Sequence, residues 1–478
     1  MRPTPSGQAL HRLAVIPPPA AESPNARNSA AQWLLIALPL LALLPKLWII
    51  THSLYAGDAS VFNTGFGFGN YIRSLTEQGA FNSCSALPFA ACDPGSCVHA
   101  TRMPGVPVFL AMLSDLVGPA AVSVAIAKCT LLALLSAGFL AVLSRDVRVT
   151  KWGLVILYGL YLGPQALKHG ATLDYEEGML IDLSLCLAVA LAYSIRPSLS
   201  DQPARRTGMA YGAVAIAVVM YMTKTTALLT LVVVLAIVLC GHNLRTTGKL
   251  ACLAFAAVPI ATWGAHNLRT TGVFSISSSW NGENLLRGYD SGALAIYPEI
   301  SLDRIFDSSV AVLDDGTRVP LGNYTAGRCF KDEWSWSSSY SALALQWLRD
   351  HPLPALTFFA HKSWVALFEV RHTPTYGSAT DKSADTSRML SAVMIAWMVA
   401  ARVVFFLLVA RVVLDLYSGR NRSYGWVLAV LAAACAPYMI VFAYQRHMIP
   451  VLELAGALLV LLYFATPVAF AALPQRGR

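Results

Sequence analysis

Charge is what this chain has least of. Asp, Glu, Lys and Arg make up 13% of its 478 residues, whereas 56% are hydrophobic. Soluble domains carry roughly 25% charged residues, so a soluble fold is excluded. The net charge of +9 sits in short Lys and Arg clusters between apolar runs. That is the pattern of membrane topology signals, not of a nucleic-acid groove. The signatures of familiar enzyme classes are missing too. There is no GxSxG elbow, HExxH, Walker A sequence or Rossmann GxGxxG, and GFGFGN at 65–70 is a loose glycine run. No internal repeat supports an inverted-repeat transporter.

What is there is a succession of apolar runs. The first, Ala31 to Ile50, is too long for a signal-peptide core and reads as an uncleaved helix. Others follow at about 120–143, 152–167, 178–195, 208–223, 226–241, 249–265, 389–414, 424–443 and 449–470. This predicts an all-α polytopic membrane protein with about ten transmembrane helices, interfacial helices and a periplasmic loop region. Residues 1–32, rich in Pro, Ser and Ala, read as a disordered cytoplasmic tail. A transmembrane core covers 33–265 with a first external loop at 52–119. A second external region spans 266–388, and C-terminal transmembrane helices occupy 389–478.

Positive charge orients the runs. Arg145, Arg148 and Lys151 form one cluster, Arg196, Arg205 and Arg206 another, followed by Arg245 with Lys249, Arg420 with Arg422, and Arg476 with Arg478. Placing all of them in the cytoplasm lets the segments alternate consistently. The apolar stretch 104–118, in RMPGVPVFLAMLSDLVG, would break that alternation as a span. Its rise of about 22 Å is also short of the roughly 30 Å hydrocarbon core. It reads as an interfacial helix on the external face, as does 353–368. Cys84, Cys92, Cys97 and Cys329 then fall outside, where disulfides form. Three pairings are open, and zinc is less favoured because no CxxC pair is present.

Three groups of polar residues lie at the external helix ends. Asp58 stands in YAGDASVF after the first helix. Asp174, Glu176 and Glu177 form an acidic cluster in LDYEEGML, just before a membrane segment. Arg102, Lys168, Lys224, Arg269 and Arg446, with His447 beside the last, are basic residues on the side where positive charge is less common. Taken singly, each has a bland reading as a solvated or snorkelling side chain; together the cations could hold an anion such as a lipid phosphate.

Four phrases in order carry a family resemblance: GDASVF with YIRSLTEQGAF, RMPGVPVFLAMLSDLVG, WGAHNLRTTGVFSISSSWNGENLLRGYD and YQRHMIPVLELAGALLVL. The chain resembles the membrane glycosyltransferases of the C superfold, in the branch of the dolichyl-phosphate-mannose protein mannosyltransferases and the lipid A aminoarabinose transferases. The resemblance implies transfer of a sugar from a polyprenyl-phosphate-linked donor, with inversion, to a glycan, lipid or protein acceptor at the periplasmic face of a bacterial inner membrane. It implies no nucleic-acid partner, and membrane lipids as surroundings. Asp58 matches the family's general base, with Glu177 or Asp174 as a second acidic site. Arg102 and Arg446 match phosphate contacts, and His447, Lys224 and Arg269 are grouped with them on the donor side. A divalent metal is left open as a cofactor, because Ala59 follows Asp58 where many members have Glu, and His266 precedes Asn267 where an Arg is common. An O-antigen ligase or polymerase and a lipid-linked sugar transporter or flippase are the alternatives.

Overall fold

The computed structural model describes residues 24–55, 59–65, 67–84, 87–93, 95–241, 244–302, 304–307, 310–313, 315–322, 324, 328–370 and 386–468. In chain order its helices are α1 (Pro24–Ile49), α2 (Phe68–Gln78), α3 (Gly105–Val117), α4 (Ala121–Ser144), α5 (Lys151–Tyr161), α6 (Pro164–Ala171), α7 (Glu177–Ile195), α8 (Pro203–Thr223) and α9 (Leu228–Cys240). Then come α10 (Thr246–Thr271), α11 (Asn281–Arg287), α12 (Ala293–Ile296), α13 (Arg304–Asp307), α14 (Glu333–Asp350), α15 (Pro352–Phe368), α16 (Thr386–Tyr417), α17 (Gly425–Ile440) and α18 (Gln445–Tyr463). Two short antiparallel pairs, β1 (Val147–Val149) with β4 (Ala465–Pro467) and β2 (Val310–Val312) with β3 (Arg318–Pro320), are the only named strands among the described residues. The fold is an all-α polytopic membrane protein.

Seven helical stretches of the described residues are long and apolar enough to cross a membrane: Ala30–Leu54, Ala121–Ser144, Glu177–Ile195, Thr246–Thr271, Ala392–Tyr417, Arg422–Ile440 and Gln445–Tyr463. The expected segment 152–167 is two helices. Its break falls at Leu162–Gly163, where Pro164 opens α6 and a Cβ on Gly163 would collide with the Trp397 ring. The α9 helix has 13 residues and rises only about 20 Å. Boundaries shift as well. Helix α1 already begins at Pro24, inside the expected tail, and α10 runs on to Thr271, past 265.

The two ends of the bundle differ in chemistry. At one end β1 pairs with β4, Arg205 pairs with Asp146, and Arg196 donates to the Leu462 and Ala465 carbonyls, both at 2.9 Å. The basic clusters of 145–151 and 196–206 therefore share that end. At the other end α7 and α18 begin and α8, α10 and α17 finish.

Capping this second end is a separate core, rich in aromatic residues. Tyr71, Phe89 and Val98 from the first loop pack with Leu286, Tyr297, Phe306, Trp336, Tyr340 and Phe358 from the second. Cys84 is bonded to Cys97 and Cys92 to Cys329, which selects one of the three open pairings. Backbone bridges run beside each bond, Ser83 with Val98 and Ala91 with Phe330. Helix α14 starts on a capping box, in which Asp332 accepts from Ser335 N at 2.7 Å and Ser335 Oγ accepts from Asp332 N at 3.1 Å.

The stretch 104–118, expected to be interfacial, forms the 13-residue helix α3. It buries Val106, Leu110 and Leu113 and exposes Met112 and Leu116, so one apolar face meets protein and another is uncovered, a division that an interfacial helix also shows. Helix α15 likewise buries Phe358 and Val365 while exposing Leu353, Leu356 and Trp364. Charges inside the bundle have local partners. Lys46 is 3.0 Å from Asp182, Lys128 caps Gly170 O at 2.9 Å and Thr172 O at 2.5 Å, and Arg402 caps Leu367 O at 2.9 Å. Each restores a backbone or ionic contact that lipid cannot supply.

Candidate active site

A cavity of about 840 Å³ opens at the junction of the bundle and its aromatic cap. Its wall brings together Arg102, Glu176, Glu177, Lys224, Arg446 and His447 at the helix ends with Trp280, Asn281, Glu283, Asn284 and Arg287 from the segment around α11. Leu228, Leu229, Pro437 and Val441 give it an apolar side. These groups come from five distant parts of the sequence. Each is placed where a helix starts or stops, because a charged side chain there can leave the hydrocarbon without breaking the helix.

Arg102 precedes α3. Its guanidinium lies 4.2 Å from the Trp280 ring centroid and 5.0 Å from that of Phe68, with Nη1 at 3.7 Å from Glu176 Oε1. Contact with both rings restrains the plane of the fork. Burial lowers the Arg102 pKa from its ordinary value, with Glu176 opposing the shift. The group remains a cation.

Lys224 sits in the short link between α8 and α9. It contacts Glu177 directly and approaches Glu176 at 4.0 Å. Burial alone would lower its pKa, yet Glu177, then Tyr438 and Glu176, turn the shift upward. Glu177 is 1% exposed at its side chain, and its Oε1 also lies 3.6 Å from His447 Nε2. His447 Nδ1 accepts the Tyr444 N–H at 3.3 Å. The neutral ring therefore carries its proton on Nε2, facing Glu177. Glu177 Oε2 has no hydrogen-bond partner among the described residues. His447 stacks on Tyr438 at 5.0 Å, and the Arg446 guanidinium lies 4.5 Å from the Tyr175 ring.

Of the residues expected from the sequence, Arg102, Glu177, Lys224, Arg446 and His447 meet at this cavity. Two others do not line it. Asp174 is half-buried nearby and accepts the Gly65 N–H at 2.9 Å, so it ties down the loop that follows the first helix. Arg269 is exposed in the last turn of α10; that helix continues to Thr271, which carries Arg269 out along its surface. Lys168 is exposed as well. Asp58 lies outside the described residues.

Sequence reasoning assigned no role to Trp280, Glu283 or Arg287. All three lie in WNGENLLRG, whose i, i+4 spacing puts Glu283 and Arg287 on one face of α11, where they form an ion pair. Nothing in the local sequence says that the Trp280 ring covers Arg102, because 178 residues separate the two by number. As for a divalent metal, no group of three His, Cys, Asp or Glu side chains is arranged to hold one among the described residues. The cavity carboxylates Glu176, Glu177 and Glu283 face Lys224, Arg102 and Arg287 instead.

No protein-family model matches this sequence, and no curated protein does. Two solved structures align with 90% of the chain and 78% of their own. One is ArnT from Cupriavidus metallidurans in the apo state, at 14% identity and a TM-score of 0.36. The other is the same protein bound to undecaprenyl phosphate, at 14% identity and a TM-score of 0.37. At that identity and overlap, the likeness bears on neither the substrate nor the site residues of this chain.

Proposed function

We propose that this protein is a membrane glycosyltransferase that moves a sugar from a polyprenyl-phosphate-linked donor to an acceptor on the outer, periplasmic face, with inversion. The observation that carries this reading is the meeting of Arg102, Lys224 and Arg446 in one cavity that also has an apolar side at Leu228, Leu229, Pro437 and Val441. A phosphate joined to a prenyl chain needs both environments next to each other, at the depth where helices end. The motif resemblance points the same way.

In such a reaction an acceptor hydroxyl attacks the anomeric carbon from the face opposite the phosphate. The bond from that carbon to the phosphate oxygen breaks, and polyprenyl phosphate leaves with the electron pair. Cations fixed where that charge develops lower the barrier, each by about 3–4 kcal/mol in well-organised sites. Arg102, held by two rings, and Arg446, over Tyr175, would supply this. The hydroxyl proton passes to a carboxylate, for which Asp58 is the candidate through the resemblance. Glu177 is committed to Lys224 and His447, which suits it to holding Lys224 in place. The two disulfides lie on the same side as the cavity, which supports an oxidising compartment there.

The test uses purified protein in lipid nanodiscs with a polyprenyl-phosphate sugar, following release of polyprenyl phosphate. Arg102→Ala is expected to slow release by about 10²–10³-fold, and Asp58→Asn to abolish transfer. Full activity in Asp58→Asn would remove Asp58 as the base. Consumption of a diphosphate-linked glycan, but not of the monophosphate, would replace this reading with that of a ligase or polymerase. Movement of the lipid without covalent change would replace it with that of a transporter.

A further inference from the structure

Glu333, the first residue of α14, is 2% exposed and lies outside the cavity wall. Its carboxylate accepts from His99 N at 2.8 Å, Ala100 N at 2.9 Å and Ser279 Oγ at 2.8 Å. A fourth bond, from Ser279 N to Ala100 O at 2.7 Å, joins the same two segments directly. A buried carboxylate is costly unless its oxygens are satisfied, and here backbone N–H groups and a hydroxyl satisfy it. Burial raises the Glu333 pKa above the ordinary range, with the His99 N–H pulling against it.

Both segments held in this way run straight into the cavity. Two residues after Ala100 comes Arg102, and immediately after Ser279 comes Trp280, whose ring lies 4.2 Å from the Arg102 guanidinium. Thr101, between Ala100 and Arg102, is fixed in turn by the Tyr71 hydroxyl at 2.8 Å. The Cys92–Cys329 bond and the Phe330 N to Ala90 O bond at 2.8 Å anchor the approach to α14 itself. Arg102 and Trp280 therefore stand on two loops from different halves of the chain, and Glu333 binds both.

We propose that Glu333 is a positioning residue that sets Arg102 against Trp280 and so organises the phosphate-binding edge of the cavity; this rests on the reading of the cavity as the donor site. Without it, the His99 and Ala100 N–H groups lose this acceptor, and the backbone tie between the two loops rests on the Ser279–Ala100 bond.

Two measurements test this on the full-length protein in detergent. The first is hydrogen exchange, which needs no activity. Glu333→Ala is expected to speed exchange at residues 99–102 by about tenfold or more, while α7 and α18 stay protected. Unchanged exchange at 99–102 would overturn the proposal, and so would uniform loss of protection through the bundle. The second is binding of undecaprenyl phosphate, measured for Glu333→Ala, Arg102→Ala and the double variant. Glu333→Ala should weaken binding about tenfold, with Glu333→Gln, which keeps one acceptor oxygen, falling between it and the wild type. The Glu333 effect should vanish in the Arg102→Ala background. Additive losses would overturn the proposal. Failure of the wild type to bind the lipid would count against the donor-site reading and against this role together, whereas a local exchange change with unaltered binding would overturn only the role of Glu333.

Discussion

Gly105 approaches the backbone of Met222 so closely that a Cβ on it would stand 2.6 Å from the Met222 carbonyl oxygen and 2.7 Å from Thr223 N. Helix α3 therefore starts directly against the end of α8, two residues before Lys224. Arg102 is on one side of this contact and Lys224 on the other, and both reach Glu176. The gap left by a missing side chain thus sets the spacing of two cavity cations.

Gly105→Ala should force α3 and α8 apart, because the obstructing atoms are backbone and cannot rotate away. Overpacking of this kind costs about 1–3 kcal/mol. The expected result is a folded protein with a modestly lowered melting temperature and at least tenfold weaker binding of a polyprenyl phosphate. Wild-type affinity in this variant would show that the α3–α8 spacing does not govern the site.

Lys224→Met should be among the more destabilising single changes at the cavity. It strands Glu177, whose side chain is 1% exposed, and breaking a buried pair by removing one partner costs about 3–5 kcal/mol. Glu177→Gln in the same chain should restore part of the loss, because it removes the uncompensated charge. Thermal unfolding of the two variants in detergent decides this. A double variant no more stable than Lys224→Met alone would mean that the pair carries little energy.

Much of this arrangement is legible in the sequence, for physical reasons. Arg102, Lys224 and Arg446 stand out because the charge-based topology puts them at helix ends where basic residues are uncommon, and the brevity of 104–118 sets α3 apart from the spans. The disulfides are legible only as a set of four cysteines, since pairing depends on how two loops fold together. Trp280, Arg287 and Glu333 are invisible for the same reason: their roles are contacts across the chain, and their local patterns would suit any surface helix. Gly163 followed by Pro164 is a plain helix-breaking signal. Hydropathy alone runs through it and merges α5 with α6. Arg269 is the converse case, since a helix that persists to Thr271 carries it along the surface and away from the cavity wall.

Peptide mapping without reduction should recover Cys84 linked to Cys97 and Cys92 linked to Cys329. Replacing Cys92 and Cys329 with Ser should lower the stability of the aromatic cap by about 2–5 kcal/mol, more than removing the short Cys84–Cys97 loop. Crossed pairings in the map would contradict the fold of both loops. In intact cells, a membrane-impermeant reagent should label Cys92 in the Cys329→Ser variant if the cap faces outward.

Lys362 gives the cap a dependence on pH. It is fully buried in α15, where Nζ donates to Gly288 O at 3.1 Å and Ile440 O at 2.6 Å and lies 3.7 Å from the Tyr289 ring centroid. Burial brings its pKa down to about 7 from an ordinary 10.5. The sign follows from linkage. Between those two values the unfolded chain holds a proton that the folded chain has begun to release, so stability rises with pH across that window, by at most about 1.4 kcal/mol per pH unit. It is lost again as pH falls through 7. The midpoint of urea unfolding, followed by fluorescence of the cap tryptophans, should therefore increase from pH 7 to pH 10. Lys362→Met, which keeps the volume and removes the charge, should flatten that slope. An equal slope in the variant would assign the pH dependence to another group and leave Lys362 charged throughout.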